Sequence, residues 1–327
     1  PAKRSGLRAH QYGPIGLISL VYIPTLQGFF ERSLEVLDIH LASLRNTLPS
    51  DAEIIVWDNG SCPEVVQYLR QQLESKAIDY LFLSRFNLGK TGALNWLFPA
   101  LPHPWIGYTD SDVYFMPGWW EATQQLFEAF PQAGMVSAQP GFFDVLRGES
   151  QMVQLVKKAG FQPVTIQAPL DEYTLYLQGL GKSRQNLTPP SLPVIQNGSV
   201  QAVLRATHMQ FVMPRDVAQR VVPLPVRGAL HRDDDRELHK RVEQLGRWQL
   251  STLKSYVYHM GNTPWHPTPE AWASHAQPQN TATPAEDENL GFKRKVFRAA
   301  QRLIRSANPV QKRVERLYHL LFRLLYE

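Results

Sequence analysis

The sequence predicts an α/β fold: a mostly parallel central sheet with helices on both faces, in three α/β/α layers. Three observations predict it. Short apolar runs alternate with helical patterns across residues 16–140, the order that βαβ units require. The runs are nearly continuous in apolar residues, as strands buried on both faces are. Three successive runs also end in polar turn sequences. The composition agrees, since 327 residues with 43% hydrophobic and 19% charged is globular and excludes wholesale disorder.

The elements follow in order. GLISLVYIP (16–24) reads as a buried strand, and 30–47 as a helix with Leu34, Leu37, Ile39, Leu41 and Leu44 near helical spacing. AEIIVWD (52–58) is a strand closed by the turn Asp58-Asn59-Gly60-Ser61. A helix over 64–73, a strand over 79–86 and the turn NLGKTGALN (87–95) opening a helix come next. WIGYTDSD (105–112) is a strand running into acids, followed by a helix over 118–130 and a strand over 133–140. The rhythm fails over 141–200, where helical pieces near 151–160 and 171–180 precede a Pro-rich loop, 186–193. Regular pattern returns over 200–214, with a helix over 231–246 and strands within 248–262. Residues 263–290 read as a linker and 291–327 as a basic helical tail.

Several classes drop out. The single cysteine, Cys62, excludes an intrachain disulfide framework and a Cys-rich metal site, and fits a reducing compartment. The apolar run Ile15 to Pro24 follows Lys3, Arg4 and Arg8 but is about half the ~20 residues a spanning helix needs, and no small-residue cleavage pattern follows it. The net charge of +5 is uneven. Residues 291–327 carry +8, so the body carries −3, and a nucleic-acid groove would not be confined to a terminal appendage. The first strand lacks the G-x-G-x-x-G turn of dinucleotide enzymes. Gly89-Lys90-Thr91 lacks the upstream glycine of a P-loop, with Leu83 and Ser84 in that region. The Gly-rich, Arg-containing loop expected of a nucleotidyltransferase is missing too.

Ligands of doubly wound sheets sit outside the carboxyl ends of the strands. Asp58-Asn59-Gly60-Ser61, Asn87-Leu88-Gly89-Lys90 and Asp110-Ser111-Asp112 are therefore expected to face one crevice. Each alone is an ordinary turn or cap, and their coincidence at successive strand ends carries the functional reading. Two carboxylates at i and i+2 after a buried strand are costly to desolvate. A divalent cation, Mn²⁺ or Mg²⁺, offsets that cost and keeps positions open for phosphate and water.

The ordered set resembles the inverting glycosyltransferases of family 2, which have the GT-A fold. The matching elements are Pro24-Thr25, Asp58-Asn59-Gly60-Ser61, Asn87-x-Gly89…Ala93-x-Asn95 and a D-x-D-like Asp110-Ser111-Asp112. Asp234-Asp235-x-x-Leu238-x-x-Arg241 with Gly246 is similar to the family's E-D-x-D-L-x-x-R-L…G element, and His259-Met260-Gly261 to its late metal-binding histidine. The resemblance covers 16–262. It implies a catalytic domain over 1–262, Rossmann-like in its sheet, with 141–200 as an acceptor-side elaboration.

It also implies a nucleotide-diphosphate sugar donor (UDP-, GDP- or dTDP-linked). Asp58 would bond the base, with Thr25 beside the nucleoside. Asn87 and Lys90 would stand near base or phosphates, and Asp110 with Ser111 near the ribose. Asp112 and His259 would hold the metal. His259 taken alone is a half-buried strand histidine. Asp235 falls at the catalytic base and Asp234 at the preceding acid, where Asp replaces the family's Glu. Asp233, Asp234 and Asp235 all remain candidates, since three acids also suit a helix start. On the acceptor side, His208 and Trp120 are candidate neighbours of a sugar, although Trp119 and Trp120 read first as core. Rival readings are a retaining GT-A transferase and a catalytically silent, membrane-docked scaffold.

The tail repeats Val296, Phe297, Ala300, Leu303 and Ile304 among cations, then Val314, Leu317, Leu320, Leu321, Leu324 and Leu325. A basic helix with an apolar stripe suits an anionic membrane surface. The expectation is a cytoplasmic enzyme, peripheral at the inner membrane face, with a glycan or lipid-linked acceptor and no nucleic-acid partner.

Overall fold

The computed structural model describes residues 10–142, 151–182, 188–226 and 234–267. By contacts the chain divides into units 1–280 and 281–327; every described residue lies in the first. The basic tail and most of the linker lie outside the described residues.

The chain opens with β1 (Ile15–Val21), α1 (Ser33–Thr47), β2 (Glu53–Asp58), α2 (Pro63–Glu74), β3 (Tyr80–Leu83), α3 (Gly89–Ala100) and β4 (Trp105–Asp110). It continues with β5 (Val113–Phe115), α4 (Trp119–Ala129), β6 (Ala133–Ser137), α5 (Gln151–Lys158), β7 (Val164–Gln167) and α6 (Leu170–Gly179). The last elements are β8 (Ser191–Asn197), β9 (Val200–Val203), β10 (Gln210–Pro214), α7 (Arg215–Val221), α8 (Asp234–Gln244), β11 (Trp248–Ser251) and β12 (Val257–His259).

Ten strands form one sheet in the order β3-β2-β1-β4-β10-β6-β11-β9-β8-β7, and β5 pairs with β12 in a separate ribbon. Among the described residues, six strands of the sheet run with β1, and β10, β9 and β7 run against it. Parallel register sets the ends of four strands nearly level. Val21 is paired with Asp58, Leu20 with Asp110 and Asp58 with Leu83.

Period-two alternation divides β1 between two cores. Ile15, Leu17 and Val21 pack with Leu37, Leu41 and Leu44 of α1 and Val65 and Leu69 of α2. Ile18 packs on the other face with Leu94, Leu97 and Phe98 of α3, Val217 of α7, and Leu238 and Val242 of α8. Each such buried side chain is worth roughly 1.5–3 kcal/mol in transfer free energy. The three expected layers are present.

Three details differ from the sequence reading. The loop expected over 186–193 contains the start of β8, which pairs with β7 from Val164↔Val194 to Gln167↔Ser191. The pattern over 200–214 divides into β9 and β10, with Leu204–Met209 between them. Val113–Phe115, to which the sequence reading assigns no element, forms a ribbon strand apart from the main sheet.

Candidate active site

Asp58 is buried at the carboxyl end of β2. Its carboxylate accepts the backbone N–H of Gly60 and of Ser61, each at 3.2 Å. Ser61 Oγ accepts Ile23 N–H at 3.0 Å, which ties this turn to the end of β1. Gly60 sits at φ 89°, a left-handed conformation that glycine adopts without strain. Burial raises the Asp58 carboxyl above its ordinary range, and the hydrogen bonds from Ser61 and Gly60 oppose that rise. Asn59 links the next loop: its Nδ2 donates to Asn87 Oδ1 at 2.8 Å and its Oδ1 accepts Leu88 N–H at 2.8 Å. Asn87 Oδ1 also accepts Gly89 N–H at 2.9 Å. Thr25 is half-buried in the loop after β1.

Asp110 ends β4 beside these loops. Its Oδ1 accepts Tyr108 O–H at 2.5 Å and lies 3.4 Å from Lys90 Nζ. Lys90 also donates to the His208 carbonyl at 3.1 Å and sits 4.7 Å from the Tyr108 ring centroid. Burial pushes the Asp110 carboxyl up, Lys90 pulls it down and Asp112 adds to the rise.

Asp112 and His259 meet through the ribbon. Val113 is paired with His259, Met260 N–H donates to the Asp112 carbonyl at 2.7 Å, and His259 Nε2 lies 3.1 Å from Asp112 Oδ2. His259 Nδ1–H donates to the Gly179 carbonyl at 3.0 Å. Burial disfavours charge on both groups, but their mutual attraction outweighs it. The Asp112 carboxyl is held below its ordinary range and the His259 imidazole is raised to about 9. Beneath the ribbon, fully buried His40 donates Nδ1–H to the Val113 carbonyl at 2.6 Å and accepts from Ser19 Oγ at 2.9 Å. Burial lowers its imidazole to about 4, so it is neutral at pH 7.

A cleft of about 940 Å³ opens at this pair. Ser111, Asp112 and His259 line it together with aromatic side chains that include Tyr22, Phe29 and Trp265. Asp58, Asn87, Lys90 and Asp110 are not on its wall.

The donor set fits a divalent cation. Asp112 Oδ1 is buried without a protein hydrogen-bond partner, and the Nδ1–H bond leaves His259 Nε2 as the nitrogen for a ligand. Among the described residues no group of three or more His, Cys, Asp or Glu is placed to hold a metal. This pair would therefore need oxygens from substrate and water to complete a shell.

The structure thus brings Asp58 and Asn87 into one bonded group, Lys90, Asp110 and His208 into a second, and Ser111, Asp112 and His259 into a third. His208 joins through its carbonyl, and its side chain is exposed. Asp234 and Asp235 open α8, but their side chains and Asp233 lie outside the described residues. Trp120 is 3% exposed and packs in the core with its ring centroid 5.9 Å from that of Trp119, the first of the two readings the sequence offers for it. Sequence reasoning placed Asn59 in its motif without a role and missed Tyr108, His40 and Gly179. Tyr108 alone left a signal, a polar-tipped aromatic two residues before the first acid.

Fold and site define a class: a three-layer α/β domain with a carboxylate–imidazole pair at the edge of a cleft. Residues 21–180 match the family model described as Glycosyl transferase family 2. No curated protein matches the chain. Among solved structures it is similar to S. aureus TarS 1-349, at 12% identity and TM-score 0.45 over 75% of this chain and 59% of that one. A TarS complex with UDP-GlcNAc is similar at 12% identity and TM-score 0.44, over 75% of this chain and 60% of that one. The mannosyltransferase PcManGT from Pyrobaculum calidifontis, in complex with GDP-Man and Mn²⁺, is similar at 13% identity and TM-score 0.44, over 75% of this chain and 55% of that one. The chain thus spans between 55% and 60% of the length of these solved chains.

Proposed function

We propose that the domain moves a sugar from a nucleoside-diphosphate donor to an acceptor hydroxyl with inversion at the anomeric carbon, in a reaction that requires Mn²⁺ or Mg²⁺. The observation that carries the reading is the buried, unpartnered Oδ1 of Asp112 beside an imidazole whose Nε2 faces the same carboxylate. A buried oxygen left unpaired is costly, and a cation would satisfy it.

In this reading Asp58, held level with the end of β1, accepts a hydrogen bond from the base. Asp110 accepts from the ribose, with its carboxylate fixed by Tyr108 and Lys90. Lys90 supplies positive charge near the phosphates. Asp112 and His259 hold the cation, which when bound offsets the charge growing on the departing diphosphate. An imidazole ligand favours Mn²⁺ over Mg²⁺. The cleft beside that pair gives sugar and acceptor room. Asp235 takes the proton of the attacking hydroxyl at the start of α8, where the helix dipole favours its ionised form. The acceptor, a glycan or lipid-linked hydroxyl, is read by 141–200, and the tail over 291–327 seats the enzyme on an anionic membrane surface.

The test is thermal unfolding of the full chain with UDP-, GDP- and dTDP-sugars, each with Mn²⁺ or with chelator. Binding to the native state at about 100 times Kd adds roughly 2.7 kcal/mol of stability. One base class is expected to raise Tm with Mn²⁺ and much less with chelator. Equal Tm under every condition would overturn the reading.

A further inference from the structure

His259 is oriented from outside its own strand. Its Nδ1 lies 3.0 Å from the carbonyl of Gly179, the last residue of α6. The same helix grips the ribbon at two other points. Near its start, buried Glu172 accepts Ser255 N–H at 2.9 Å, just before β12. In its middle, Leu175 packs with Tyr258 and Met260, the residues on either side of His259.

The approach at Gly179 is very close. A Cβ there would lie 2.5 Å from the His259 carbonyl oxygen, so a larger residue would force α6 and β12 apart. A carbonyl oxygen only accepts, so the bond exists when Nδ1 carries a proton. The ring is then turned with Nε2 toward Asp112.

We propose that Gly179 is a positioning residue for the cation site: its carbonyl, brought into reach because the residue has no Cβ, fixes the tautomer and direction of His259. This rests on the reading of Asp112 and His259 as cation ligands. Partners of this kind, acting on the far nitrogen of a metal-bound imidazole, are worth about 10–100-fold in metal affinity. They also make a helix of the 141–200 segment part of the cation site, although that helix supplies no ligand to it.

The experiment uses the full chain and Mn²⁺ alone, with affinity read by electron paramagnetic resonance. Gly179→Ala is expected to weaken Mn²⁺ about 10–100-fold while cooperative unfolding persists. His259→Ala is expected to weaken it at least as much. Long-range ¹⁵N NMR of the wild-type ring, with Zn²⁺ as a diamagnetic occupant, is expected to show the proton on Nδ1. A folded Gly179→Ala with unchanged Mn²⁺ affinity, or a wild-type proton on Nε2, overturns this inference. If Gly179→Ala fails to fold, the wild-type spectrum decides. Unchanged affinity in His259→Ala would instead defeat the underlying cation reading.

Discussion

Asp112 and His259 lie 3.1 Å apart because Val113 and His259 are partners in the β5–β12 ladder. The acid precedes one strand of a three-residue pair and the imidazole ends the other. Their contact is therefore set by register, and a one-residue slip would turn His259 to the opposite face.

Replacing the acid removes the charge that sustains the imidazolium. In Asp112→Asn, burial dominates and the His259 imidazole is expected to fall well below the value of about 9 that it has in the wild type. NMR titration of His259 in both proteins measures it. The same variant is expected to lose Mn²⁺-dependent stabilisation by donor.

His40 gives stability a defined dependence on pH. Its unfolded value is 6.5 and its folded value about 4. Between these the unfolded chain binds more protons, so stability is present above 6.5 and is lost as pH falls toward 4. The loss reaches about 3 kcal/mol. Urea unfolding at pH 7 and pH 5 is expected to show a drop that is smaller in His40→Gln, although that variant starts less stable.

Lys90→Ala is expected to weaken donor binding about tenfold, equivalent to ~1.4 kcal/mol, because Asp110 loses the cation 3.4 Å away. Calorimetric titration with the donor found by thermal screening measures it. A fall in Tm is expected as well, because the pair is mostly buried, with 16% and 31% of its side chains exposed, and Asp110 is left without its cation.

Asp235→Asn is expected to lower turnover by ~10²–10⁴ while donor affinity stays within a few-fold of wild type. Asp233→Asn and Asp234→Asn, assayed alongside, identify the base as the position with the largest fall in kcat. The anomeric configuration of the product, read by NMR, tests inversion directly.

The ends of β2 and β4 and the start of α3 were legible because each apolar run stops abruptly at polar residues, and parallel register makes such ends neighbours. Asp58, Asn87, Lys90 and Asp110 follow from that rule. The ribbon was not legible. Val113-Tyr114-Phe115 is too short a run to stand out, and nothing local pairs it with residues near 259. β8 was hidden by Pro189, Pro190 and Pro193, whose missing N–H groups argue against a strand. Pro193 is tolerated between β7 and β9, opposite Thr165. Gly179 acts through a backbone oxygen and an absent side chain, which residue-type reasoning does not register. Trp120 reads first as core, and the structure buries it there, although a tryptophan after an acidic loop also suits sugar stacking.

β10 runs against β4, so the chain passes the carboxyl end of β4 just before it becomes sheet. Met209 meets Asp110 there through its carbonyl, at 2.8 Å, and His208 meets Lys90 in the same way. Lengthening or shortening the stretch over 204–208 would shift the partner of Lys90 without breaking a ladder bond of β10. If Lys90 faces the phosphates as proposed, selectivity for that end of a donor is retuned in those few residues, with the sheet left as it was.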